Sequence, residues 1–90
     1  MKIRIDHKYI IEKDDYSYTV KEDKHKKDKE GRDIMENIAY YSNIEGAVLK
    51  VMHLRIEDRN ADNEISLYEY ITQLKLENEK FKEVLKGEIL

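Results

Sequence analysis

Ninety residues carrying 17 basic and 20 acidic side chains, net charge -3, are enough for one small domain with a modest core. Zero cysteine excludes a disulfide-stapled scaffold and thiolate metal centres, and no apolar run reaches the roughly 18–20 residues of a membrane span. Charged residues make up 41% of the chain with their signs interleaved, which argues against a nucleic-acid footprint. The opening MKIRIDHKY lacks the continuous apolar stretch of a signal peptide. The expectation is a soluble cytoplasmic protein.

The first 42 residues read as strands. Met1, Ile3 and Ile5 alternate with Lys2 and Arg4 at the period of a half-buried strand. Asp6-His7 then turns the chain into residues 8–13 (KYIIEK), rich in strand formers. Asp14-Asp15 turns it again into residues 16–21, which place Tyr16, Tyr18 and Val20 on one face. Residues 22–33 (EDKHKKDKEGRD) hold no apolar side chain and contain Gly31, the composition of a polar, mobile hairpin tip. Strand character resumes at 34–41, with Ile34, Ile38 and Tyr40 on one face. Consecutive strands joined by turns predict an antiparallel meander of three or four strands.

Two helices follow. Ser42-Asn43-Ile44-Glu45 has the spacing of a capping box, and apolar residues recur at helical spacing from Ile44 to Ile56. The polar run 58–64 ends this helix. Ser66 and Glu69 form a second capping box, and a long helix runs on toward Gly87, a natural stop. The predicted architecture is α+β in a single domain: sheet 1–42, first helix 43–58, second helix 65–87.

Within the second helix, Leu67, Ile71, Leu74, Asn78, Phe81 and Leu85 are spaced 4, 3, 4, 3 and 4 apart, the a/d seam of a coiled coil. Asn78 at an a position would fix register, and Glu77 at g would reach Lys82 of a parallel copy. The seam predicts an interface and a homo-oligomer. An amphipathic helix packed on its own chain has the same spacing, and the pattern covers fewer than three heptads.

Residues 58–69 (DRNADNEISLYE) resemble an EF-hand calcium loop. Asp58, Asn60 and Asp62 supply oxygens at positions 1, 3 and 5, Glu64 its carbonyl at 7, and Glu69 a bidentate carboxylate at 12. Asn63 replaces the glycine of the sharp turn, and the same residues serve as a helix–helix linker with Ser66 and Glu69 as a cap. The linker is the preferred reading, so no metal site and no cofactor are expected.

Catalytic constellations are lacking in the pattern: His7, His25 and His53 are scattered, the three glycines form no phosphate loop, and the carboxylates alternate with lysines. A basic hairpin of Lys21, Lys24, Lys26, Lys27, Lys29 and Arg32 is offset by Glu22, Asp23, Asp28, Glu30 and Asp33. The chain is therefore expected to be no enzyme and no nucleic-acid binder.

Residues 1–20, 38–49 and the helix from Ile65, in that order, resemble small proteins carried by bacteriophages and prophages of Gram-positive bacteria. The resemblance implies a sheet-then-helix protein made inside an infected cell and carries no functional residues with it. It points to an interaction factor that binds a host or defence protein, with a calcium-binding module as the alternative.

Overall fold

The computed structural model describes residues 1–89, with side chains described as far as residue 82. The chain is α+β: strands β1 (Lys2–Arg4), β2 (Tyr9–Lys13), β3 (Tyr18–Lys27) and β4 (Asp33–Tyr41), then helices α1 (Ile44–Arg59) and α2 (Leu67–Ile89). It falls into two compact units, Met1–Val51 and Met52–Leu90.

In the first unit the strands form one antiparallel sheet in the order β1-β2-β3-β4. Each hairpin turn is closed by an aspartate side chain, the local chemistry for which Asp is favoured in turns. Asp6 accepts from the amides of Lys8 and Tyr9 at 2.8 and 2.7 Å. Asp14 accepts from those of Tyr16 and Ser17 at 2.9 and 2.8 Å. Asp28 accepts from those of Glu30 and Arg32, both at 2.9 Å, while Gly31 takes the left-handed φ of 81° that the turn requires.

The register sets Ile3 opposite Ile11, Ile11 opposite Val20, and Val20 opposite Ala39. Ile11 and Val20 are fully buried, as are Ala47 and Val51 of α1, and Tyr9 nearly so. Removing each large member from water contributes roughly 1.5–3 kcal/mol. On the opposite face Ile10 lies between Arg4 and Lys21 as cross-strand neighbours. Those cations pair with Asp23 and Glu12, so the charged heads stay satisfied while Ile10 is buried.

Four expectations are corrected here. Tyr16 lies in the β2–β3 turn and is 92% exposed, because Asp14 folds the backbone there and β3 begins only at Tyr18. Residues 22–33 are mostly strand: β3 runs to Lys27 and β4 starts at Asp33. This apolar-free stretch is tied by Lys24 to Glu22 and Glu36, and by Lys27 to Asp33. Ile34, Ile38 and Tyr40 do not share a face, since a bulge intervenes: Ala39 faces Val20, but the next pair is Asn37 with Lys21. Finally, α1 is capped by Asn43, not Ser42: Asn43 Oδ1 accepts from Gly46 N at 2.8 Å.

Candidate functional site

The second unit is the end of α1, a short connection and α2. Asn60 closes α1. Its amide donates to the carbonyls of Ile56 and Glu57, its side-chain Nδ2 donates to Ile56 O at 2.7 Å, and the same Nδ2 reaches Gln73 Oε1 at 2.9 Å. Ser66 opens α2 as expected, its Oγ accepting from Glu69 N at 3.0 Å. The helix does not stop at Gly87 but continues to Ile89.

One stripe of α2 serves its own chain. Tyr70, Gln73, Leu74 and Phe81 are half-buried and Glu77 is fully buried, residues that recur at helical spacing. Tyr70 shares a hydrogen bond with Nδ1 of His53, the rings stacked with centroids 5.6 Å apart. Burial pushes the Tyr70 phenol up, and the charge of Glu57 adds to this. Glu77 is 1% exposed and accepts from Arg55 Nε at 2.9 Å and Arg59 Nη1 at 2.5 Å, with Lys80 at 3.7 Å. Burial alone would raise the Glu77 carboxyl, but Arg59 and Arg55 outweigh it and hold the group below its ordinary 4.5. Such a carboxylate stays ionised at neutral pH and is committed to two guanidiniums.

The heptad residues are divided by this arrangement. Leu74 and Phe81 lie half-buried, whereas Leu67, Ile71 and Asn78 face solvent; the Leu85 side chain lies outside the described residues. Glu77 is drawn into its own chain by the arginines, and Lys82 lies 4.0 Å from its own Glu79. Within the chain the Glu77 carboxylate is thus taken by Arg55 and Arg59, where the seam reading has it reaching Lys82 of a second copy. The 3–4 spacing did not distinguish the stripe that packs inside the chain from the one beside it, since both contain apolar residues.

The calcium-loop residues are laid out as a linker. Asp58 belongs to the last turn of α1, Asn60 is the cap just described, Asp62 sits in the turn that follows, Glu64 in the extended connection, and Glu69 in the first turn of α2. Among the described residues the one non-glycine position with positive φ is His25, so Asn63 does not make the left-handed turn that an EF-hand loop needs at its sixth position. Among the described residues no three His, Asp or Glu side chains converge as metal ligands.

Sequence reasoning missed the pairings of Glu77 with Arg55 and Arg59 and of His53 with Tyr70, and it missed a pair of histidines as well. His7, from the first turn, stacks on His25 of β3 with ring centroids 6.0 Å apart. His25 stands in the left-handed region at φ 55°, where Asp23 Oδ1 accepts its amide at 2.9 Å, and this irregular stretch of β3 brings the two rings together. The two lie 18 positions apart in the sequence, and nothing local signalled the pairing. On the basic hairpin, Lys21, Lys24, Lys27 and Arg32 each pair with a carboxylate. No helix among the described residues is long and apolar enough to cross a membrane.

No protein-family model matches this chain, and no curated protein and no solved structure matches it either.

Proposed function

We propose that this chain is a non-enzymatic protein–protein interaction factor. Following the phage and prophage resemblance of its segments, its partner is a host or defence protein in the bacterial cytoplasm. The observation that carries the reading is the start of α2, where Leu67, Tyr68 and Ile71 are 77, 82 and 41% exposed. An adjoining stripe of the same helix already packs within the chain through Tyr70, Gln73 and Glu77. Large apolar side chains clustered in solvent beside a satisfied packing face are the mark of a surface that another protein covers. Glu77, the one fully buried carboxylate among the described residues, supports the non-enzymatic part, because two arginines hold it ionised and occupied.

The test uses the immobilised chain as bait in a bacterial lysate, beside the triple variant Leu67→Ser, Tyr68→Ser, Ile71→Ser with its helix content checked by circular dichroism. A specific protein captured by the wild type and lost by the folded variant is expected. Equal capture by both would move the function off this surface. Sedimentation decides between occupants: a wild-type dimer that the variant abolishes would assign the surface to a second copy of the chain.

A further inference from the structure

Two imidazoles meet at the end of the β2–β3 ladder. One step beyond its outermost pair, Tyr9 with Glu22, the amide of Asp23 donates to the carbonyl of Lys8 at 2.8 Å. This bond sets the turn that carries His7 beside the stretch that carries His25. The two rings lie 21° from parallel with centroids 6.0 Å apart, and both residues are exposed.

His25 is placed there at a conformational cost. Its φ of 55° is the one left-handed non-glycine value among the described residues, and it falls within the irregularity of β3 between Asp23 and Lys27. Such bulges re-aim side chains, and backbone outliers of this kind gather at ligand clamps. Oδ1 of Asp23 accepts the His25 amide at 2.9 Å and lies 3.9 Å from Nδ1 of the same residue's ring. Arg4 holds the other Asp23 oxygen at 2.9 Å. A carboxylate on the Nδ1 side is the partner that orients a metal-ligating histidine and leaves Nε2 to the metal.

We propose that His7 and His25 together bind a borderline-soft divalent metal ion of the zinc, nickel or copper kind, each through one ring nitrogen. Imidazole is a donor that such ions favour. An ion about 2.0–2.1 Å from a ring nitrogen stands about 3.2 Å from the ring centroid, so rings with centroids up to about 6.4 Å apart can share one ion. The 6.0 Å pair falls inside that reach once the exposed rings turn a nitrogen toward the common point. Among the described residues no third histidine or carboxylate completes the set, so water fills the remaining positions and the site is open. It lies outside the calcium-loop segment 58–69 and takes a different class of ion.

The experiment adds zinc chloride stepwise to the full chain and follows the ring signals of the three histidines by NMR. His7 and His25 are expected to shift together and saturate at one ion per chain, while His53, hydrogen-bonded to Tyr70, stays unmoved. Calcium in place of zinc should move neither ring of the pair. His7→Gln and His25→Asn should each weaken zinc binding about tenfold or more, because a second donor fixed nearby acts at high effective concentration. Asparagine tolerates the left-handed φ of position 25, so that variant keeps the backbone. Wild-type zinc affinity in either variant, equal shifts at His53, or no saturable shift in millimolar zinc would overturn the proposal. The folded Leu67, Tyr68 and Ile71 variant should bind zinc as the wild type does, so the metal site and the interaction surface fail separately.

Discussion

Replacing Glu77 probes the second unit most directly. The carboxylate is 1% exposed and takes one hydrogen bond from each of two guanidiniums, at 2.9 and 2.5 Å. Removing one member of a buried ion pair costs about 3–5 kcal/mol, since the remaining charges lose their partner. Here the remaining groups are Arg55 and Arg59, with side chains 27% and 43% exposed, and water can rehydrate them in part. The lower end of that range is therefore expected for Glu77→Leu, about 3 kcal/mol. Glu77→Gln keeps the shape and an acceptor oxygen and should cost about 1–2 kcal/mol, less than the full worth of two charged hydrogen bonds. Because the folded carboxyl is held below its ordinary 4.5, its contribution is present above that value and is lost as pH falls through the lowered folded value. Urea unfolding followed by far-UV circular dichroism, repeated from about pH 7 down into the acid range, should show a Gln penalty that is full at neutral pH and shrinks as pH falls below 4.5 toward the lowered folded value. The combined variant Glu77→Met, Arg55→Leu, Arg59→Met should return to within about 1 kcal/mol of wild type, because no charge is then left buried. A Glu77→Leu protein as stable as wild type, or a Gln penalty that persists in acid, would refute the argument.

Ser66→Ala removes the acceptor of the Glu69 amide and should cost roughly 0.5–2 kcal/mol, the same in calcium and in chelator. Glu69→Gln should change stability little; a calcium-dependent rise in the wild-type melting temperature that Glu69→Gln abolishes would restore the calcium-loop reading. Gly46→Ala should destabilise the fold although alanine is the better helix former, because the new Cβ would stand 2.9 Å from Tyr41 Cδ1. In a Tyr41→Ala background, which removes the Cγ and Cδ1 atoms, the penalty of the same change should shrink, with the 3.1 Å approach to Asn43 Oδ1 remaining, measurable by the same unfolding curves.

The aspartate turns at positions 6 and 14, the Ser66 cap and the succession of strands then helices could be read from residues alone, because each depends on chemistry within a few positions along the chain. Such local signals decide what kind of element forms and roughly where it begins. They are weaker where two neighbours offer the same group. Ser42 and Asn43 both carry a capping oxygen, and it is Asn43 that reaches the amide of Gly46. The extension of β3 and β4 through residues 22–33 left no periodic trace, since it is held by cross-strand pairs such as Lys27 with Asp33.

What only the tertiary structure decided is the use of each face. Apolar spacing on α2 marked a seam through Leu67, Ile71 and Leu74, but two adjacent stripes of one helix satisfy that spacing equally. The choice was made by Glu77, which as a charged residue looks like surface in any reading of periodicity. Arg55 and Arg59, 22 and 18 positions earlier, make its burial tolerable and turn its stripe inward. Leu67 and Ile71 are thereby left in solvent. Pairings at that separation depend on how the chain closes on itself, and a single sequence records the groups without recording which of them meet.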